Sequence, residues 1–90
     1  MSIKELFEAF SDPARLKIVE LLQEKDMTPS EMAKELGLSK PTISHHLNVL
    51  KKAGVVDFYK KGKHLLYTLE LSVFDEIIKF AMKFKKEVES

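Results

Sequence analysis

The segment from Ser39 to Gly54 combines side-chain types that are suited to recognising another molecule. In a helix, at 100° per residue, Ile43, Leu47 and Leu50 would share one apolar side. The opposite side would present hydroxyl, imidazole, amide and amine groups, which can hydrogen-bond the edges of base pairs in double-stranded DNA. The side chains that we predict to face the major groove of DNA are Lys40, Thr42, Ser44, His45, Asn48 and Lys51.

Signals for both ends of a helix frame this segment. Ser39 is a good N-cap, because its hydroxyl can accept a hydrogen bond from a free backbone N–H of the first turn. Pro41 falls in that turn, where a missing N–H has little effect. Gly54 predicts the end, since glycine adopts the left-handed conformation without a Cβ penalty. We therefore predict a recognition helix over residues 39–53, and we add Ser39 and Pro41 to the predicted DNA contacts.

The two adjacent histidines are expected to differ in role. His45 should contact a base edge or a phosphate, whereas His46, at the margin of the apolar stripe, should pack or hydrogen-bond inside the domain. Asn48 could read adenine through two hydrogen bonds. The alternative is that several of these side chains contact only phosphates, which position a protein without specifying a sequence. Arg15 is expected to make an intradomain ion pair or a phosphate contact rather than a base contact.

Catalytic and metal-binding patterns find no support in the sequence. The chain has no cysteine, which excludes disulfides, thiolate metal sites and cysteine nucleophiles. Its three glycines lie far apart, so there is no glycine-rich phosphate loop. The Ser44-His45 pair lacks the third orienting group and the oxyanion site that a nucleophile–base arrangement needs. Adjacent helical histidines do not chelate one ion, so we expect no enzyme activity, no cofactor and no metal.

Two helices should directly precede and position the recognition helix. Ser11-Asp12-Pro13 predicts the start of one that continues to about Gln23. Thr28, with Glu31 three residues later, is a capping-box signal for the next, which should end at Gly37. That helix, the turn over residues 37–39 and the recognition helix predict a helix-turn-helix. Thr28 and Ser30 are expected to offer a hydroxyl or backbone N–H to a phosphate.

A basic hairpin should follow the helix-turn-helix as a wing. Residues 55–60 and 63–69 are rich in the β-branched and aromatic residues typical of strands. Lys61-Gly62 predicts a tight turn, with Gly62 at positive φ. Lys60, Lys61, Lys63 and His64 are expected to contact phosphates or the minor groove, and the alternative is a solvated turn.

A broad apolar stripe on the last predicted helix indicates a dimer. Residues 72–88 form a helix pattern whose stripe is too broad for so small a domain to bury alone. The alternative is a helix packed fully onto its own core. The interface residues predicted on this helix are Phe74, Ile77, Ile78, Ala81, Phe84 and Val88.

Positive charge is concentrated in the middle of the chain. Residues 39–64 contain six lysines and one aspartate, whereas residues 1–38 contain five basic and eight acidic residues, within a net charge of +1. The partner of the middle third is therefore expected to be anionic. Besides DNA, we consider a winged-helix module that docks on an acidic protein. A protein-docking face should carry exposed aromatic residues or leucines, which the polar face of the recognition helix lacks.

Taken together, these motifs resemble the ArsR-type winged-helix transcriptional regulators over roughly residues 3–70. The similar stretches are FSDPARLKIVELL (10–22), ELGLSKPTISHHLNVLKKAGVV (35–56) and YTL (67–69). The resemblance implies a mainly α, single domain over residues 1–90, with about five helices and a two-stranded wing. It also implies repression by binding operator DNA and a homodimer built from the first and last helices, which adds Ile3, Leu6, Phe7 and Phe10 to the predicted interface.

One departure from that family concerns metal sensing. Many of its members bind metals through cysteines on the helix before the turn or through Asp, His and Glu on the last helix. Here the helix before the turn has no thiol and the last helix has no histidine, so we expect another inducer or none. No apolar run is long enough to span a membrane and no signal-peptide core is visible, so we expect a cytoplasmic protein.

Overall fold

Five helices and one hairpin form the part of the chain that the structure describes. The structure is a computed structural model that describes residues 2–89, with side chains as far as Lys85. The predicted mainly α fold with a two-stranded antiparallel wing is confirmed. The elements in chain order are α1 (Ile3–Ala9), α2 (Pro13–Glu24), α3 (Pro29–Leu36), α4 (Lys40–Lys52), β1 (Val56–Lys61), β2 (His64–Leu69) and α5 (Ser72–Glu89).

Short polar side chains cap the first four helices. Asp12 accepts hydrogen bonds from the backbone N–H groups of Ala14 and Arg15, at 2.8 and 3.3 Å. Thr28 and Glu31 form the predicted capping box, in which each side chain accepts from the other residue's backbone N–H. Proline follows the cap in the first turn of α2, α3 and α4. The helices therefore begin where these donors and acceptors are satisfied locally.

The turn between α3 and α4 has the geometry of a helix-turn-helix. Gly37 ends α3 in the left-handed region, with φ of 65°. The next N–H, of Leu38, reaches back to the carbonyl of Ala33 at 3.1 Å, as in a Schellman motif. Ser39 then caps α4 by accepting from the N–H of Thr42 at 3.3 Å. The predicted extent of the recognition helix, residues 39–53, matches its N-cap and C-cap.

The core lies between the helices and the base of the wing. Residues from each helix and from β1 contribute to it, and the apolar stripe predicted for α4 is buried there. Ile43 and Leu50 are 0% exposed and Leu47 is 1% exposed, so the orientation of α4 about its own axis is well determined by packing. The buried apolar residues are Leu6, Ala9, Ile18, Leu22, Met27, Met32, Ala33, Ile43, Leu47, Leu50, Ala53, Val55, Val56 and Val73.

The turn of the wing differs by one residue from the prediction. Lys61 pairs with His64 in the antiparallel register, so the two turn residues are Gly62 and Lys63 rather than Lys61 and Gly62. Gly62 has the predicted positive φ, 63°, and Lys63 does not. The first central position of a type II′ turn requires such a φ, which explains why glycine occupies it and Lys61 stays in the strand.

A third chain segment extends the small sheet. Met27, just before α3, forms an isolated antiparallel bridge with Tyr67 of β2. Its N–H donates to the carbonyl of Tyr67 at 3.2 Å, and the N–H of Tyr67 donates back at 2.8 Å. The strand β2 therefore lies between β1 and the α2–α3 connection.

The helices α1 and α5 pack side by side through aromatic rings. The ring centroids of Phe7 and Phe80 lie 5.7 Å apart, and those of Phe10 and Phe74 lie 6.1 Å apart. Leu6 is 1% exposed and belongs to the core of its own chain, so it has no surface to offer a partner, contrary to its place in the predicted interface. The side chain of Val88 lies outside the described residues.

Candidate nucleic-acid interface

The face of α4 opposite its buried stripe is open to solvent and polar. Hydroxyl, imidazole, amide and ammonium groups occupy this face within three turns of helix. Because the buried stripe holds the helix in one rotational setting, these groups are presented together on a rigid element. The exposed residues of α4 are Lys40, Pro41, Thr42, Ser44, His45, Asn48, Lys51 and Lys52.

Two of the predicted contact residues are already hydrogen-bonded to each other. The hydroxyl oxygens of Ser39 and Thr42 lie 2.7 Å apart, and Ser39 also caps the helix. Both side chains are exposed. Ser39 therefore has a structural role at the start of α4, and each hydroxyl retains at least one position for an additional partner.

Lys51 is held by the wing. Its ammonium lies 3.4 Å from Oδ1 of Asp57 and 5.5 Å from the centre of the Phe58 ring, which is a cation–π contact. The backbone N–H of Phe58, at 2.8 Å, and the charge of Lys51 keep the pKa of Asp57 below its usual value. The structure thus gives Lys51 a role in joining the end of α4 to β1, which the helical spacing did not reveal.

His45 and His46 lie on different sides of α4, as predicted. His45 is exposed, whereas His46 is 8% exposed and is the one polar residue among the buried side chains that the structure describes. Nη1 of Arg15 lies 3.3 Å from Nδ1 of His46. Since arginine can only donate, Nδ1 accepts and the ring proton belongs on Nε2.

Arg15 joins α1 to α4. Besides His46, its guanidinium donates to the carbonyl of Ala9 at 2.8 Å and to that of Glu8 at 3.2 Å, at the end of α1. The predicted intradomain role of Arg15 is present, although its partners are two carbonyls and an imidazole rather than a carboxylate.

The structure brings the wing and the start of α3 together. A groove of about 660 Å³ lies between them. Thr28 and Ser30 form one wall with Pro29 and Glu31, and Lys61, Lys63 and His64 line the other with Leu65 and Leu66. Two separately predicted groups of residues therefore share one site. Lys60 is exposed at the wing tip but does not line the groove.

The Glu31 carboxylate, which lines this groove, is already hydrogen-bonded. The backbone N–H of Thr28, 3.0 Å away, and the Thr28 hydroxyl hold the pKa of Glu31 below its usual value. The other ionisable side chains of the groove are basic, namely Lys61, Lys63 and His64, and the N-terminal end of α3 adds partial positive charge. The groove is thus suited to an oxyanion such as a DNA phosphate.

An apolar surface remains on α1 and α5. Phe7, Ile78 and Phe84 are 49, 58 and 56% exposed, and Met82 is 55% exposed. Phe7, Phe80 and Phe84 form a continuous row of edge-to-face rings, with 5.1 Å between the last two centroids. Exposed apolar surface of this kind marks a protein interface. The other predicted interface residues are half-buried, namely Ile3, Phe10, Phe74 and Ile77, or exposed, namely Ala81.

Two interactions near the wing were missed by sequence reasoning. The hydroxyl of Tyr59 donates to Oδ2 of Asp26 at 2.6 Å, across 33 residues of sequence, and Lys51 pairs with Asp57. No local signal identifies either pair, because one depends on how β1 packs against the distant α2–α3 connection and the other on how the chain turns between α4 and β1. Among the residues described, no three His, Asp or Glu side chains are grouped to hold a metal, and no helix there has the length and apolarity to cross a membrane.

Comparison with known proteins agrees with this architecture. The family described as "Bacterial regulatory protein, arsR family" matches residues 12–57. The transcriptional repressor SdpR of Bacillus subtilis (strain 168) is 42% identical over 82 residues, which cover 91% of this chain and 91% of that protein.

Solved structures are similar over nearly the whole chain. An ArsR-like transcriptional regulator from Rhodococcus sp. RHA1 has a TM-score of 0.90 at 26% identity, over 97% of this chain and 80% of its own. A homodimeric winged helix-turn-helix DNA-binding domain from Mycobacterium bovis has a TM-score of 0.76 at 22% identity, over 97% of this chain and 82% of its own. The alternative of a protein-docking module receives no support. The chain therefore belongs to the ArsR family of bacterial regulatory proteins, and its relatives are transcriptional regulators with a winged helix-turn-helix DNA-binding domain.

Proposed function

We propose that this protein is a repressor whose two α4 helices enter successive major grooves of an inverted-repeat operator. The observation that carries the proposal is the division of α4 into a fully buried apolar stripe and an exposed polar face. In a twofold dimer the two recognition helices sit about 34 Å apart, which corresponds to one turn of DNA between half-site centres. The similarity to the repressor SdpR supports repression rather than activation.

Base recognition is assigned to the middle of the exposed face. His45 and Asn48 are the side chains there with ring and amide groups that hydrogen-bond base edges, and Ser44 lies beside them. The first turn of α4 is assigned to contacts near the DNA backbone. It contains Lys40, Pro41 and Thr42 and is capped by Ser39. Lys51 is assigned to positioning β1 rather than to bases, because Asp57 and Phe58 already hold it.

Backbone contacts are assigned to the groove between the wing and α3. A phosphate in this groove would meet Lys61, Lys63 and His64 from one side and the first turn of α3, with Thr28 and Ser30, from the other. Lys60 would add a contact at the tip. Such contacts strengthen binding to any sequence and make it dependent on salt.

Dimerisation is assigned to the exposed apolar surface of α1 and α5. The residues that supply it are Ile3, Phe7, Phe10, Phe74, Ile77, Ile78, Ala81 and Phe84, of which Phe7, Ile78 and Phe84 are the most exposed large side chains. We assign no metal or cofactor to the repressor and name no inducer. We infer a cytoplasmic location from the proposed DNA target.

Matched alanine variants and two DNA duplexes test the assignment. An operator is first selected from random duplexes, and a duplex of random sequence serves as the second ligand in fluorescence anisotropy. His45→Ala and Asn48→Ala should lose about tenfold or more on the operator and little on random DNA, which corresponds to the discrimination of about 1–3 kcal/mol per base contact. Equal losses on both duplexes would show that α4 does not read bases.

Lys63→Ala should behave differently from these two variants. We expect it to weaken binding to both duplexes by the same factor and to reduce the slope of log Kd against log salt by about two, because the dimer loses one phosphate contact in each half-site. Lys79→Ala is the control, because it removes the same charge from the exposed side of α5, where Lys79 pairs with Glu76 at 3.9 Å. If Lys79→Ala reduced the slope as much as Lys63→Ala, the wing would have no specific role.

A further inference from the structure

The wing is fastened to the α2–α3 connection through a side chain as well as through the backbone. The hydroxyl of Tyr59, in β1, donates to Oδ2 of Asp26 at 2.6 Å. The next residue, Met27, pairs with Tyr67 of β2 through two backbone hydrogen bonds. One short connection therefore holds both strands of the wing.

The side chain of Tyr59 has to cross β2 to reach its partner. β2 lies between β1 and Met27, and Tyr59 is paired in register with Leu66. Side chains alternate between the two faces of a strand, so Tyr59, Leu66 and Thr68 share one face of the hairpin. The phenol thus spans the hairpin and joins its outer strand to the body of the domain.

The protonation states of this pair are consistent with a strong hydrogen bond. The hydroxyls of Tyr59 and Thr68 hold the pKa of Asp26 below its usual value. The Asp26 carboxylate in turn raises the pKa of Tyr59 above its usual value. A neutral phenol that donates to an ionised carboxylate at this distance forms a charge-assisted bond, the stronger class of protein hydrogen bonds.

The basic residues of the wing begin immediately after this bond. Lys60 and Lys61 follow Tyr59 directly, and Lys63 and His64 return on β2. A two-stranded hairpin is only marginally stable by itself, so its outer end would otherwise sample several orientations. We propose that Asp26 and Tyr59 are positioning residues for DNA binding, whose hydrogen bond holds the wing tip against the start of α3 before DNA is bound.

This inference rests on the proposed function, because it requires the wing to contact DNA. If the hydrogen bond holds the wing tip in place in the free protein, the tip of the Tyr59→Phe variant becomes ordered only when DNA binds. Affinity then falls by the cost of that ordering, although the contacts in the complex stay the same. We therefore expect Tyr59→Phe to raise Kd by about three- to tenfold on operator and random duplexes alike, with an unchanged salt slope. An unchanged Kd would overturn the inference.

Tyr67→Phe is the matched control. Tyr67 is the other tyrosine of the chain, it also lies on the wing, and its hydroxyl makes no hydrogen bond among the residues described. Loss of the Tyr67 hydroxyl should leave Kd unchanged within about twofold. If Tyr67→Phe weakened binding as much as Tyr59→Phe, a general loosening of the wing and not the Asp26 contact would be responsible.

A double-variant cycle shows whether the effect passes through the wing. In a Lys61→Ala/Lys63→Ala background, the effect of Tyr59→Phe should shrink to less than about twofold, because there is little left to position. An undiminished effect would overturn the inference. If Lys61→Ala/Lys63→Ala itself left Kd unchanged on every duplex, the proposed wing contact with DNA would fail instead.

Titration of the phenol tests the hydrogen bond directly and without DNA. In the Tyr67→Phe protein Tyr59 is the only tyrosine, so absorbance at the tyrosinate band reports its ionisation alone. Adding Asp26→Asn removes the carboxylate and should move the pKa of Tyr59 down toward its usual value. Circular dichroism over the same pH range confirms that both proteins stay folded. Identical titration curves would show that the bond does not exist in solution.

Discussion

Replacing Arg15 should remove the hydrogen bonds that connect the end of α1 to the recognition helix. Its guanidinium donates to the carbonyls of Ala9 and Glu8 and to Nδ1 of His46 on α4. Arg15→Met keeps most of the aliphatic length of the side chain and removes every one of these donors. The substitution therefore tests the hydrogen bonds with little change in packing.

The size of the effect follows from which bonds are shielded from water. The bonds to Ala9 and His46 are partly buried, whereas the Glu8 carbonyl is exposed and can be hydrated in the variant. Hydrogen bonds to charged groups contribute about 1.5–3 kcal/mol each, less where water competes. We expect Arg15→Met to lower the free energy of unfolding by about 2–4 kcal/mol.

Urea unfolding followed by far-UV circular dichroism measures this loss. All proteins are compared at one concentration, because the stability of a dimer depends on it. The matched control is Lys17→Met, which removes an exposed cation two residues further along α2 and should change stability by less than about 0.5 kcal/mol.

The double variant Arg15→Met/His46→Leu separates the His46 bond from the others. Removing one partner leaves a buried nitrogen unsatisfied, whereas replacing both with apolar groups is often nearly neutral. The double variant should therefore be no less stable than Arg15→Met alone. If Arg15→Met differed from Lys17→Met by less than about 0.5 kcal/mol, the reasoning from these distances would be refuted.

Two further predictions concern pH and assembly. The pKa of Asp26 is lowered by its bonds to Tyr59 and Thr68, so its stabilising effect is complete above the unfolded-state value near 3.8 and is lost as pH falls through the lower folded-state value. Urea unfolding between pH 7 and 3 should show a loss below about pH 4 that is smaller in Asp26→Asn. Phe84→Asp should yield monomers in light scattering after size exclusion, whereas Lys83→Asp, next to it on the same helix, should remain dimeric. If both variants were dimeric, this end of α5 would be excluded from the interface.

Local signals were sufficient for most of the elements. Thr28 and Ser39 are caps whose partners lie within three residues, and Gly37 is a left-handed helix end, so each was identified without knowledge of the fold. The predicted position of the hairpin turn was wrong by one residue, because Lys61-Gly62 and Gly62-Lys63 both place glycine in a two-residue turn. The pairing of Lys61 with His64, which depends on the register of the whole hairpin, selected the second.

Contacts between distant elements were not predictable in the same way. The helical repeat indicates that His46 lies near the buried side of α4, but not that Arg15 of α2 will meet it. It also assigns Lys51 to the exposed side, where Asp57 and Phe58 hold it after the chain reverses at Gly54. Helical spacing gives the direction of a side chain, and only packing gives its neighbour.

These distant contacts give the recognition helix two attachments of different kinds. Near its middle, His46 connects α4 through Arg15 to the end of α1, the helix to which we assign dimerisation. At its last turn, Lys51 connects α4 to β1, the strand that carries the wing. In a dimer, the angle between the two α4 helices would depend on the link to α1, and the position of each wing would depend on the link to β1. Both are then set relative to α4. It follows that substitutions at Arg15 should alter how binding depends on half-site spacing, whereas substitutions at Tyr59 should weaken binding at every spacing by the same factor.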